Sequence, residues 1–162
     1  MPQLDCGNDL NFWVRGALGC VPDDVWNERG DRLSFVCMAT SDGRRLTTQF
    51  IEGQHVIVLS ERLVPAQGVA EDNWLVRYLY FVVLHEVAHA TCDHRPPNEI
   101  TVDENQRQED EANALAFEWF NGYLETKLAN GLPPFTQHEL DGAQQRMTQL
   151  MLGWLARRGD IA

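Results

Sequence analysis

Val82–Ala90 reads VVLHEVAHA, with His85 and His89 four residues apart and Glu86 directly after the first. Everything around these three polar groups is apolar. An imidazole or a carboxylate taken out of water without a partner is costly, so the reading of the chain turns on what compensates them. From Asn73 onward, WLVRYLYFVVLHEVAHATC is predicted to form one helix, halted at Arg95–Asn98 (RPPN) because neither proline can continue it. Apolar residues cover nearly its whole circumference, the pattern of a central buried helix.

On such a helix, residues four apart are rotated by only about 40° and rise about 6 Å, so His85 and His89 point the same way. Two imidazoles so placed can each direct a ring nitrogen at one zinc ion. Glu86 lies about 100° around from His85, within reach of a water held by that ion but outside the ligand set. This is the physical content of H-E-x-x-H, with Glu86 as general base. The competing interpretation is a pair of core histidines satisfied by backbone carbonyls, with Glu86 paired to an arginine.

A catalytic zinc commonly takes three protein ligands and keeps a fourth position open. The motif H-E-x-x-H-x-x-G-x-x-H would place its third histidine where this chain has Arg95 and its glycine at Cys92; His94 comes one residue early. The third ligand is therefore sought on the next helix, where QEDEANALAFEWF offers Glu109, Glu111 and Glu118. With steps of about 100° per residue, Ala112, Asn113, Ala116, Phe117, Phe120, Tyr123 and Leu124 all fall within roughly 80° of Glu109. Glu111 and Glu118 lie on the polar side. A carboxylate at the centre of an apolar face needs a partner, so the metal ligands expected are His85, His89 and Glu109, with Glu111 next in line. Asn113, one turn beyond Glu109, is a candidate to hydrogen-bond His85 or His89 and fix its tautomer.

The H-E-x-x-H motif followed about 20 residues later by EDEANALAFEW resembles the gluzincin arrangement, in which the third ligand comes from an E-x-x-x-N/D segment. More narrowly, strands leading into LHEVAHA and then E-x-E-A-N-x-x-A are similar to the ImmA/IrrE-type metallopeptidases. The likeness covers Val82–Phe120 with specific motifs and Met1–Asp72 only in the order of elements. It implies a zincin-like fold, zinc on His85, His89 and Glu109, Glu86 as base, and a protein or peptide substrate, transcriptional repressors among them. Asn113 stands where many gluzincins have aspartate.

The remaining sequence sets the frame for this site. A chain of 162 residues is long enough to bury a core as one domain, 1–162. Its 13 Lys and Arg against 24 Asp and Glu give a formal charge of −11. An acidic surface repels phosphate backbones and anionic headgroups, which argues against nucleic-acid and membrane partners. The start, MPQLDCGNDL, lacks the basic and apolar regions of a signal peptide, and the longest apolar run, Tyr78–Leu84, is far short of the roughly 20 residues a membrane span requires. A cytoplasmic location is expected, with Cys6, Cys20, Cys37 and Cys92 as free thiols.

Elsewhere, NDLNFWVRGALGC predicts a short helix. DRLSFVCMA, RLTTQFIEG and QHVIVLSERLV read as three strands separated by the turn-like TSDGR and EGQ, and their closeness suits antiparallel hairpins. A further helix is expected from about Asn105 to Leu128. The last begins at TQHE, where Thr136 and Glu139 form a capping-box pattern, and buries Leu140, Ala143, Met147, Leu150 and Trp154. The fold class expected is α+β: a small three-stranded antiparallel sheet packed on the H-E-x-x-H helix, a glutamate-bearing helix and a C-terminal helix.

In this frame the leading function is zinc-dependent hydrolysis of a peptide bond. Candidates to stabilise the oxyanion are Tyr123, His94, His138 and Arg95, and the edge of HVIVLSE is a candidate to bind an extended substrate as an added strand. The alternatives are a zinc-binding regulatory protein with little proteolytic activity, which would not need Glu86, and a zinc amidase.

Overall fold

The computed structural model describes residues 2–5, 7–29, 32–38, 44–46, 55–66, 68–127 and 132–158. Its elements are β1 (Gln3–Asp5), α1 (Asn8–Leu18), α2 (Asp23–Arg29), β2 (Leu33–Met38), β3 (Arg44–Leu46), β4 (His55–Ser60), α3 (Trp74–Thr91), α4 (Val102–Lys127) and α5 (Gln137–Arg158). The chain is thus mixed helix and strand, mostly helical, as the α+β expectation requires. None of the described helices is long and apolar enough to cross a membrane.

The sheet departs from the expected three antiparallel strands. It has four strands in the order β1-β2-β4-β3. β1 pairs in parallel with β2, and β2 in parallel with β4 from Leu33 opposite His55 to Met38 opposite Ser60. Only β3 and β4 are antiparallel, with Arg45 opposite Ile57. Chain direction does reverse between β2 and β3 and again before β4, as the turn signals imply. Adjacency is what differs: β4 inserts between β2 and β3 and so lies beside a strand of its own direction. Burial explains the choice. His55, Ile57, Val58, Leu59 and Ser60 are all buried, and a strand covered on both faces belongs in the interior of a sheet. β4 is therefore no free edge, and the expectation that HVIVLSE adds a substrate strand is overturned; the outer edge on that side is β3. Neither β1 nor α2 was anticipated from sequence, and the strand read over RLTTQFIEG lies outside the described residues beyond Leu46.

α3 forms as its sequence predicts. The Asn73 side chain caps it, accepting from Leu75 N–H at 2.9 Å, and every residue from Val76 to Leu84 is buried. α1 lies close against it because Gly16 has no side chain: a Cβ there would stand 2.1 Å from the Tyr80 hydroxyl. α4 covers α3 with the face foreseen for it, burying Ala112, Ala116, Phe120 and Leu124. One contiguous core joins α1, β2, β4 and the three long helices among the described residues. Cys20, Cys37 and Cys92 are free thiols, and burial pushes the Cys20 thiol up to about 12.

The segment leading into α5 is tied down from two sides. Asn121 accepts from Phe135 N–H at 2.7 Å and donates to Phe135 C=O at 3.1 Å. This seats the Phe135 ring against Phe81, Phe117 and Phe120. Arg77, buried on α3, donates through Nε and one terminal nitrogen to both carboxylate oxygens of Glu139 and to Pro133 C=O at 3.0 Å. Only half of the expected capping box forms. Thr136 Oγ1 accepts from Glu139 N–H at 3.3 Å, but the Glu139 carboxylate serves Arg77 instead. The apolar stripe of α5 is buried at Leu140, Ala143 and Met147, then surfaces at Leu150; the side chain of Trp154 lies outside the described residues.

The Arg77–Glu139 pair is asymmetric, with 4% of the arginine side chain exposed against 30% of the glutamate. Removing the glutamate strands a buried guanidinium, whereas removing the arginine leaves a carboxylate that still meets water. Urea unfolding is expected to show Glu139→Leu losing about 3 kcal/mol and Arg77→Leu clearly less.

Candidate metal centre

His85 and His89 occupy the last two turns of α3 and Glu109 the second turn of α4. Their polar atoms meet between the helices. His85 Nε2 and His89 Nε2 are 3.0 Å apart, His85 Nε2 is 3.3 Å from Glu109 Oε2, and His89 Nε2 is 3.5 Å from Glu109 Oε1. These three residues form a group able to hold a metal ion. Two ligand atoms each 2.0–2.1 Å from a tetrahedral ion stand about 3.3 Å apart, so the observed separations fit one small ion at the centre. Helical phase explains the convergence: the i, i+4 pair shares a face of α3, and Ala112 and Ala116, both buried, let the Glu109 face of α4 come close. Phe81 forms the wall behind, its ring stacked on His85 at 6.2 Å between centroids.

Electrostatics tie the three groups together. Hydrogen bonding to His85 and then His89 holds the Glu109 carboxyl well below the usual carboxylate range, against the opposing effect of burial. Burial alone would lower His85, but hydrogen bonding to Glu109 and the charges of Glu86 and Glu109 raise it. For His89 burial prevails, helped by the charges of His85 and His94, and the imidazole is pushed down. A neutral imidazole and an ionised carboxylate are the forms that ligate a cation.

Glu86 is buried and close enough to His85 for its charge to favour the imidazolium. Asn113 stands beside His85 and favours the same form. The buried Nδ1 of His85 nevertheless makes no hydrogen bond among the described residues, so the support expected of Asn113 is not made at that atom.

Glu111, the second choice for third ligand, goes elsewhere. Its Oε2 is 3.3 Å from His94 Nε2, and His94 Nδ1 is 2.8 Å from His89 Nδ1. Glu118 is exposed on the far side of α4. Of the four oxyanion candidates, Tyr123 is fourteen residues beyond Glu109 on α4, hence about 21 Å along the helix, and lines a groove with Phe12, Trp13 and Tyr80 instead. Phase gave Tyr123 the right face but not the right height. Arg95 is exposed and donates to Glu99 C=O at 3.1 Å, and His138 is exposed on α5.

The fourth oxyanion candidate, His94, is buried against His89. The end of α3 puts it there. His94 N–H bonds His89 C=O at 3.0 Å and Asp93 N–H bonds Ala90 C=O at 3.4 Å, with Asp93 left-handed at φ 51°. This is a Schellman turn, and it folds the chain back over the last turn of the helix. Its usual sequence signal is glycine at the left-handed position, and here an aspartate occupies it. Asp93 also lies 3.7 Å from Nε2 of the buried His55 at the start of β4, so the turn is joined to the sheet.

Comparison with protein-family models, with curated proteins and with solved structures finds no match for this chain.

Glu109→Gln and Glu111→Gln separate the two carboxylates. Elemental analysis is expected to find about one zinc per chain in wild type and in Glu111→Gln, and a large loss in Glu109→Gln.

Proposed function

We propose that this chain is a zinc-dependent metallopeptidase of minimal zincin-like build, with His85, His89 and Glu109 as ligands and Glu86 as general base. The observation that carries the reading is the meeting of two Nε2 atoms and a carboxylate at 3.0–3.5 Å, with a buried glutamate next to the first histidine. Three ligands of the His₂Glu type with a position left for water suit zinc. The resemblance of the Val82–Phe120 motifs to the ImmA/IrrE-type metallopeptidases points the same way, and a protein or peptide is the substrate class it implies.

A zinc ion here would supply Lewis acidity and make a bound water acidic near neutral pH. Glu86 accepts the proton of the attacking water and passes it to the leaving amine. Its burial keeps bulk water from competing for that proton. His85 and His89 present their Nε2 atoms, fixed in direction by one rigid helix, to the position they share with the Glu109 carboxylate. Phe81 shields one face of the His85 ring from water.

A zinc-binding protein without peptidase activity would need the three ligands but not Glu86, so Glu86→Gln tests the reading. Zinc content is expected to stay at the wild-type level while cleavage of a denatured protein substrate, read by mass spectrometry of the peptides released, falls about 10²–10⁴-fold. Chelation should abolish cleavage and added zinc restore it. Zinc-loaded wild type that releases no peptides from a broad substrate library would contradict the proposal.

A further inference from the structure

Cys92, His94 and Glu111 make up a second group of side chains whose ligand atoms lie within 4.8 Å of one another. It adjoins the first group through the 2.8 Å contact of His94 Nδ1 with His89 Nδ1. Counting protons decides what this second group is. A neutral imidazole carries one N–H. With His89 Nε2 facing the metal position, the His89 proton sits on Nδ1 and is donated to His94 Nδ1. The His94 proton must then be on Nε2, where Glu111 Oε2 at 3.3 Å accepts it. Each donor in the chain meets an acceptor. A metal on His94 Nε2 would force the His94 proton onto Nδ1, opposite the proton of His89. The two groups therefore cannot both hold metal through neutral imidazoles.

We propose that His94 and Glu111 are positioning residues for the metal site, holding His89 in the tautomer that turns its Nε2 lone pair to the metal. The inference rests on the metal reading of His85, His89 and Glu109 and adds to it a chain of hydrogen bonds donated from His89 to His94 and from His94 to Glu111. Backbone geometry supports it independently of the side chains. The Schellman turn bonds His94 N–H to the carbonyl of the same His89, so His94 is held at His89 by main chain and side chain together, and the Asp93–His55 contact joins that turn to β4. The two ligating histidines consequently differ: His89 has a partner at Nδ1, and His85 has none among the described residues.

Outer partners of ligating histidines commonly contribute 10–100-fold in metal affinity. The test is zinc affinity of the full chain, by competition with a chromophoric chelator, in wild type, His94→Leu, His94→Asn and Glu111→Gln. It is paired with ¹⁵N NMR of the His89 ring in the zinc-loaded proteins. His94→Leu removes the acceptor and is expected to weaken zinc about 10–100-fold at unchanged stoichiometry. His94→Asn places an amide oxygen near the position of Nδ1 and is expected to recover most of that loss. Glu111, 62% exposed, can be replaced without disturbing the core, and Glu111→Gln is expected to weaken zinc several-fold at the low end of the same range. In wild type the His89 Nδ1 proton should appear as a slowly exchanging, hydrogen-bonded signal, lost in His94→Leu. Equal zinc affinity in all four proteins, or a second zinc that disappears with Glu111→Gln, would overturn the relay while leaving the first site standing. A wild type that takes up no zinc would remove both.

Discussion

The meeting of His85, His89 and Glu109 between two packed helices is the constraint around which this chain is organised. The two imidazoles, with side chains 12–16% exposed, stand beside a carboxylate that is 38% exposed, and polar groups drawn out of water need partners. The remainder of the architecture keeps that position in place. α3 is buried from Val76 to Leu84, so its last two turns cannot shift without moving the core. α4 approaches through alanines, and the Arg77–Glu139 and Asn121–Phe135 contacts fasten the segment whose Phe135 ring packs on Phe81. Phe81 in turn stacks on His85. Core packing and site geometry are one continuous set of contacts.

The end of α3 shows how local backbone chemistry sets a functional detail. A helix that simply frayed after Thr91 would leave His94 in solvent. The left-handed Asp93 turns the chain back, and two main-chain bonds to the last helical turn fix the turn. Aspartate tolerates this conformation less well than glycine, but it offers a carboxylate to His55, which glycine does not. The same turn thus ends a helix, reaches the sheet and places an imidazole beside a candidate ligand.

The four longer helices, α1, α3, α4 and α5, and the convergent trio were legible in the sequence because both depend on helical periodicity, which is local. The i, i+4 pair, the Asn73 cap, the RPPN stop and the phase of Glu109 among Ala112, Ala116 and Phe120 all follow from 3.6 residues per turn. What depends on neighbours remote in sequence was not legible. Strand direction in β2, β3 and β4 followed from the turn signals, but nothing in those runs says that β4 slots between the other two; only its burial on both faces does. Tyr123 shares a face with Glu109 yet stands about 21 Å away along α4, since phase carries no height. The contact of His94 with His89 was not legible because the turn that makes it has aspartate, not glycine, at the left-handed position.

The most direct test of the account is a crystal structure of the zinc-soaked protein with anomalous diffraction recorded at the zinc edge. The account predicts one peak, about 2.0–2.1 Å from His85 Nε2 and His89 Nε2 and in bonding contact with Glu109. No peak at that position, or the sole peak among Cys92, His94 and Glu111, would contradict it.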